Sequence, residues 1–471
     1  MHKLPYFLLS ALMAFGAAEL RADEVTLTTD LATGESLALA LNADLSVTLT
    51  WGNGDEETLS GTGAVTNVTV KDASLTITST IGKITALYLQ GNQISALDVS
   101  DAPYLQQLLC AENNLTSLSL TGNEELVDLD VQDNELSSIT LSKCSAIKGI
   151  NVARNELSKL SLSTSARPTS LVCSENSLSA LPASGLLAKA QTIWAGHNEL
   201  TSVTLTSSKD LRCLSLPSNS LTTLNLAAAE LLHDVWVENN SLTTLDLSKG
   251  SPILYALSAD NNELTTLTWD TDCKKTCDYA YVNDNALFIN SLPSLTYNSR
   301  EINAVVLPQE DYVIEDYYDV DETINLYDLT TKNGWGVAQS PTIEVVDASG
   351  NTLTSGTDYT ISSRKVTFGS EYENLHFEVV GKSYSGTTFV TTAFNVGVES
   401  TGISQATVSG EGLSWVTSKG RLDISASSAT DLRIYSTSGV CVVNEKLGTE
   451  SRSFTLPKGV YLVNGKKILV P

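Results

Sequence analysis

The sequence predicts a mainly β chain organised around a solenoid, and three observations carry that prediction. The phrase Leu-x-x-Leu-x-Leu-x-x-Asn-x-Leu-x-x-Leu-x-Leu recurs ten times between Ile84 and about Leu287, marked by Asn92, Asn113, Asn134, Asn155, Asn176, Asn198, Asn219, Asn240, Asn262 and Asn285. The marker asparagines are 21, 21, 21, 21, 22, 21, 21, 22 and 23 residues apart. Within each copy the apolar positions alternate with polar ones, the period of a strand with one face inward.

Numbered from its asparagine, each repeat is apolar at −8, −5, −3, +2, +5 and +7. In the third repeat these are Leu126, Leu129, Val131, Leu136, Ile139 and Leu141. Positions −5 and −3 define a short strand. The asparagine turns the chain and offers its amide to backbone groups that a coil leaves unpaired. Positions +5 and +7 form a second extended piece on the opposite side. A coil of this length has no room for an ordinary helix, and its period lies in the range of leucine-rich-repeat solenoids. One repeat cannot bury its apolar edge alone, but stacked neighbours can. Ten coils at about 4.8 Å make a stack on the order of 48 Å long.

These repeats resemble those of internalin-type leucine-rich-repeat surface proteins of bacteria, the 21-residue internalin J-like variety in particular. In that subgroup a cysteine often takes a strand leucine position. Here Cys110 and Cys173 stand at −3, where other repeats have Leu89, Val131, Val152, Leu216 and Val237. The resemblance covers about 200 residues; it implies a surface protein working by adhesion and names no ligand.

The remaining segments are read in order. Residues 1–22 have the pattern of a signal peptide: Lys3, an apolar run from Leu4 to Phe15, then Gly16, Ala17 and Ala18, with cleavage after Ala18 or Ala22. The run is too short for a membrane span, and no other stretch qualifies. Residues 23–83 alternate in the strand manner without the repeat and should form a β cap, because a solenoid end exposes apolar and hydrogen-bonding edges. Their Trp51-Gly52-Asn53-Gly54-Asp55 turn is similar to tryptophan-glycine-aspartate-glycine turns that precede repeats in related proteins of the Bacteroidota. The solenoid proper is assigned to 84–299. Residues 300–398 gain Tyr, Pro and Asp and offer strands at Thr323–Leu326, Thr342–Val346, Lys365–Phe368, Leu375–Val380 and Thr388–Val396, which looks like an immunoglobulin-like β-sandwich. Residues 399–471 form a small β domain. Its Leu432 to Val443 stretch, its Gly459-Val460-Tyr461 step and its Lys466-Lys467 hairpin ahead of an apolar end are similar to the C-terminal sorting domain of the type IX secretion system. That resemblance implies an extracellular protein, carried to the outer membrane surface of a Gram-negative bacterium and attached there through the processed tail.

Charged residues are only 17% of the chain and the formal net charge is −26. Such a surface repels nucleic acid and anionic membranes. The expected binding face is the outward side of the strand ladder, at positions −6, −4 and −2. Position −4 places Trp194 and Trp236 in one column two coils apart, about 10 Å, with Tyr88 and Tyr281 further along it. Asp234, Glu238 and Asp260 flank the tryptophans. Large aromatics beside charges suit a protein partner, on a host or bacterial surface; two tryptophans at this spacing equally allow sugar rings, so a glycan-capture or biofilm-matrix role stands as the alternative. Asp128 and Asp130 stand on the same outward face and are counted among its ligand-binding candidates; as an acidic cluster with Asp133 and Glu112 nearby they are read as a solvated face in preference to a calcium site, and so is the run Asp316 to Glu322. No metal and no cofactor is expected.

An enzyme is not expected either. His197 at −1 and His233 at −7 should face different ways, and His233 and Asp234 should lie on opposite faces of a strand. No nucleophile elbow or phosphate loop stands out. Seven cysteines, an odd number, leave at least one unpaired. Cys110 and Cys173 are about 14 Å apart, too far to bridge, and should be buried thiols. Whether Cys273 and Cys277 pair is left open.

Overall fold

A computed structural model describes residues 22–470 apart from 80–81, 249–252, 271, 298–299, 307–308, 312, 327–329, 331, 335–338, 340, 381–383, 385–387, 398–412, 419–420, 427–429, 437–440, 450, 457–458 and 464–465. The expected signal peptide therefore lies outside the described residues, Ala22 excepted. The chain divides into two compact units, Met1–Leu264 with Thr268–Asn283, and Thr265–Leu267 with Asp284–Pro471.

The first unit is built on ten parallel rungs, from Ile84–Tyr88 through Asp128–Asp130, Thr192–Trp194 and Asp234–Trp236 to Tyr279–Tyr281. Each rung pairs with the next without a register slip. The −5 residues make the inner column Leu87, Leu108, Leu129, Ile150, Leu171, Ile193, Leu214, Val235, Leu257 and Ala280, none more than 2% exposed. Each large member contributes about 1.5–3 kcal/mol of burial before chain entropy is subtracted. The apolar residues at −3 and +2 pack behind them, Val131 and Leu136 fully buried. A second extended piece follows the asparagine in several coils, at Ile94–Asp101, Ile139–Leu141, Leu160–Leu162 and Thr244–Asp246.

The marker asparagines hold consecutive coils together. Asn155 is representative: its Nδ2 donates to the carbonyls of Val131 (3.0 Å), Val152 (3.2 Å) and Ala153 (3.1 Å), and its Oδ1 accepts from the N–H of Leu136 (3.0 Å). The same pattern recurs at Asn134, Asn176, Asn198, Asn219, Asn240 and Asn262. Backbone groups that the irregular half of each coil cannot pair with itself are thereby satisfied.

The residue before each asparagine is in the left-handed region: Gly91, Glu112, Asp133, Arg154, Glu175, His197, Ser218, Asn239, Asn261 and Asp284, with φ between 50° and 68°. That conformation aims the backbone N–H at the next coil, as from Glu175 to the carbonyl of Gly196 (2.9 Å). Glycine takes such angles freely, whereas glutamate and arginine are strained there.

The cap is five strands, β1 (Glu24–Thr29), β2 (Ser36–Trp51), β3 (Glu56–Thr62), β4 (Thr66–Thr69) and β5 (Ser74–Ser79). Successive parts of β2 run antiparallel to β4, β3 and β5, and its middle runs antiparallel to the first rung, with Ala40 opposite Tyr88 and Leu41 opposite Leu87. On the other side β1 runs antiparallel to Ile94–Asp101. The asparagine series ends here as well: Asn92 exchanges two bonds with the backbone of Ala38, at 2.8 and 2.7 Å. Open strand edges at this end are thus paired. Trp51 is 1% exposed and closes the β2–β3 turn, its N–H donating to Asp55 O at 2.9 Å.

In the second unit one sheet contains Tyr317–Tyr318, Phe394–Val396, Tyr372–Val380 and Thr342–Val346, with Phe389–Val390 beside it; another contains Thr323–Asn325, Lys365–Phe368 and Tyr359–Ser362. Phe394 from the first sheet contacts Phe368 from the second, ring centroids 6.0 Å apart, and stacks on Phe377 at 4.9 Å. The expected strand over Thr388–Val396 is two short pieces instead, and Tyr359–Ser362 is additional. The run from Asp316 to Glu322 holds the two-residue strand Tyr317–Tyr318 and a turn, closed by the Asp319 N–H donating to Glu322 Oε2 (2.8 Å). Further along, two sheets of three and four strands enclose Leu422, Ile424, Leu432, Ile434, Leu447 and Val463.

Candidate functional site

The outward columns run as the alternation requires. Position −4 is Tyr88, Leu109, Asp130, Asn151, Val172, Trp194, Ser215, Trp236, Ser258 and Tyr281 in unbroken register. Trp194 is 46% exposed and Tyr281 36%. Trp236 and Tyr88 are half-buried. Neither indole is inside the coil; that space belongs to Ile193, Ala195, Val235 and Val237, all 0% exposed.

The candidate residues fall into two groups. Trp194, Asp234, Trp236, Glu238, Asp260 and Tyr281 occupy rungs six to ten and share one stretch of surface. Tyr88 lies on rung one and Asp128 and Asp130 on rung three, about 34 Å and about 24 Å from Trp236 along the stack. Tyr88 and Asp128 belong to a polar tie: Tyr88 Oη donates to Gln107 Oε1 (2.7 Å), and Gln107 Nε2 donates to Asp128 Oδ2 (3.2 Å). Gly149, next in that column, leaves room for the Asp128 carboxylate, since a Cβ there would meet Oδ1 at 2.7 Å. Burial raises the Asp130 carboxyl above its ordinary range, against the N–H of Gln132 and the amide of Asn151. Asp133 is held low by its hydrogen bond and ion pair with Arg154 on the next coil. Among the described residues no group of three His, Cys, Asp or Glu side chains is arranged to hold a metal ion.

One expectation is corrected. His233 and Asp234 are not on opposite faces: His233 Nδ1 lies 2.9 Å from Asp234 Oδ2. The reason is in the backbone. The N–H groups of His233 and Asp234 both donate to the carbonyl of Arg212, at 2.8 and 3.0 Å. Consecutive N–H groups pointing the same way break the alternation just before the strand begins, and the same double bond recurs in neighbouring coils, as from Tyr255 and Ala256 to His233 O. Position −7 therefore joins the outward face.

That column supplies residues the alternation missed. His233 stacks on Tyr255, centroids 5.1 Å apart at 22°, and Tyr255 meets Tyr279 edge-on at 5.4 Å. Cys213 Sγ lies 3.5 Å from Asp234 Oδ2, and burial together with that carboxylate pushes the thiol's pKa up. A thiol held protonated beside a carboxylate is a poor nucleophile. Tyr255 was legible only through its place before the strand.

Cys110 and Cys173 are fully buried, and burial pushes both up to about 12. Cys273 and Cys277 bracket a single helical turn, Cys273–Thr276, and are thiols with no disulfide between them.

The acidic pair at −2 differs from the rest. Glu238 and Asp260 occupy equivalent places on adjacent coils. Burial, and then Asp260, raise the Glu238 carboxyl; the Glu238 N–H, Ser258 and His197 oppose the shift. Its Oε2 is hidden from solvent and has no hydrogen-bond partner. Asp260 accepts from Ser258 Oγ at 2.7 Å.

No protein-family model and no curated protein matches the chain. Among solved structures it is similar to the functional domain of InlJ from Listeria monocytogenes, which includes a cysteine ladder, at 19% identity over 66% of this chain and 76% of that one, with a TM-score of 0.43. It is also similar to the leucine-rich effector protein YopM from Yersinia pestis, at 27% identity over 44% and 58%, with a TM-score of 0.36. An internalin, inlF, from Listeria monocytogenes gives 16% identity over 43% and 68%, with a TM-score of 0.34. The fold is a leucine-rich-repeat solenoid. What decides it is the chain's own geometry: ten rungs in register, a period of 21 to 23 residues and the asparagine series. No helix among the described residues is long and apolar enough to cross a membrane.

Proposed function

We propose that this chain is an exported cell-surface protein that recognises another protein, on a host or bacterial surface, through the outward face of rungs six to ten. One observation carries the reading: large aromatic side chains stand on a regular ladder where small polar ones would suffice for solubility, with Trp194 46% exposed. Aromatic anchors in a polar surround are the usual energetic centre of a protein interface. In this reading residues 1–22 direct export, 23–83 cap the solenoid of 84–299, 300–398 are an immunoglobulin-like spacer, and 399–471 are a type IX sorting domain whose processing attaches the protein at the outer membrane. Tyr88, Asp128 and Asp130 are the weaker part of the site, because Tyr88 and Asp128 are committed to Gln107 and Asp130 accepts from the Gln132 N–H.

The test is capture of surface proteins from host-cell and bacterial lysates, compared with Trp194→Ala and Trp236→Ala. Each substitution should weaken a genuine partner by about thirtyfold, the size of an interface hot spot. Binding to a glycan array that both substitutions abolish, with protein capture unchanged, selects glycan capture instead. Protein and glycan binding that both survive the two substitutions overturn the site.

A further inference from the structure

The cap carries a second surface, and it is a strand edge. We propose that β3 (Glu56–Thr62) pairs antiparallel with β3 of a second copy of this chain, across a two-fold axis at Leu59. No residue of the outward ladder takes part, so the pairing stands apart from the reading of that face.

The first ground is an open edge. β1 and β5 each have a strand on both sides, whereas among the described residues β3 pairs with β2 alone. Its two ends show which way its backbone groups point. The Trp51 N–H donates to Asp55 O at 2.9 Å, and the Gly63 N–H donates to Leu41 O at 2.8 Å. Backbone groups alternate sides along a strand, so the odd-numbered residues of β3 face β2. Glu56, Thr58, Ser60 and Thr62 therefore aim N–H and C=O away from it, and all four are exposed. Such an edge is a template for another strand unless shortness, lysine or proline blunts it. β4, which also pairs with β2, has four residues; β3 has seven, with no lysine and no proline.

The second ground is that this strand complements itself in one sense only. Centred on Leu59, antiparallel pairing sets Thr58 against Ser60 of the second copy and Glu56 against Thr62, so the outward groups of both strands meet as hydrogen-bonded pairs. Thr58 and Ser60 then face each other as a hydroxyl pair, which favours strand pairing. Both charges of β3 sit at one end of it. Glu57 would stand opposite Gly61, which keeps the two Glu57 side chains about 14 Å apart along the strands and the two Glu56 side chains about 20 Å apart. Both separations exceed the screening length of about 10 Å at moderate ionic strength. Parallel pairing would bring each glutamate within about 4.8 Å of its copy. Leu45 and Val65, 57% and 73% exposed, add apolar surface near the far end of β3. The Leu45 carbonyl lies so close to Gly61 that a Cβ there would clash with it, and Val65 follows Thr62 in the next turn. A single strand edge is a small interface, so the dimer is weak, and its two-fold symmetry closes it against further growth.

The experiment is sedimentation velocity on the chain from micromolar to near-millimolar concentration, where a monomer–dimer equilibrium should appear. Thr58→Pro removes an outward N–H, which an edge strand tolerates, and should weaken the dimer at least about tenfold. Thr58→Lys with Ser60→Lys sets like charges across the two-fold axis and should weaken it by a similar factor. Thr58→Lys with Ser60→Glu sets opposite charges there and should restore it. Circular dichroism and the melting temperature check that each variant is folded. Trp194→Ala and Trp236→Ala should dimerise as the native chain does. A chain that stays monomeric throughout, a dimer indifferent to the changes at Thr58 and Ser60, or no restoration by the opposite charges overturns the proposal. A dimer lost with Trp194→Ala places the contact on the ladder and overturns it too. If the chain stays monomeric while Thr58→Pro abolishes capture of a different protein, the edge takes a foreign strand and the second copy is wrong.

Discussion

At the scale of single residues, the asparagines and one glutamate carry the clearest consequences. The Asn155 amide serves three carbonyls and one N–H across two coils. Asn155→Ala removes all four bonds at once and leaves part-buried backbone groups unpaired, so it should cost about 2–4 kcal/mol in chemical denaturation. Glu238 behaves differently. Its carboxyl is raised above the ordinary 4.5 by burial and by Asp260, so the folded chain holds that proton more tightly than the unfolded chain does. Stability from this group is therefore greatest at low pH and falls as pH rises from the unfolded value through the folded one. Glu238→Gln should raise the melting temperature at pH 7 and lose that advantage below pH 4.5; an advantage that persists unchanged in acid would show that charge is not the cause. The role of the asparagine amide was legible from its recurrence. The environment of Glu238 was not, because burial of one carboxylate oxygen depends on the neighbouring coil.

At the scale of the coil, the turn before each asparagine is the informative element. It demands a positive φ ten times over, and glycine fills it once, at Gly91. Asparagine and aspartate tolerate the conformation at Asn239, Asn261, Asp133 and Asp284, whereas Glu112, Arg154 and Glu175 do not do so readily. Glu175→Gly should relieve up to about 1 kcal/mol of strain, offset in part by the freer unfolded chain. Glu175→Val should destabilise by about 1–2 kcal/mol, because a branched Cβ is worst there. Denaturant midpoints of the two variants on either side of the native value would check this; the reverse order would refute it. No residue type in the sequence announces this turn, since its neighbours, not its own preference, impose it. The same holds for position −7. Two successive N–H groups sharing one carbonyl turned His233 and Tyr255 outward, which no count of alternating residues reveals.

At the scale of the whole chain, the first unit is a stack whose coils touch only their neighbours, so its ends matter more than any single rung. β2 and β1 pair the first coil on two sides, and Ala38 completes the asparagine series at Asn92. Removing residues 23–83 exposes that strand edge together with the apolar column behind Leu87. The shortened chain should elute as aggregates in size-exclusion chromatography, whereas the chain that keeps 23–471 should stay monodisperse. A monodisperse, fully folded 84–471 would mean that the cap is dispensable.

The sequence by itself determined the solenoid, its period, the inward columns and the order of the outward −4 column, because strand alternation and repetition are local rules that ten copies state without ambiguity. Cys110 and Cys173 were placed as buried thiols on the same grounds. Tertiary structure alone decided which outward residues work together: Tyr88 and Asp128 tied to Gln107, His233 bonded to Asp234, Glu238 left with a hidden oxygen beside Asp260. Those outcomes depend on contacts between coils 21 to 23 residues apart in sequence, where the position of one side chain is set by its neighbour's size and charge and not by its own place in the repeat.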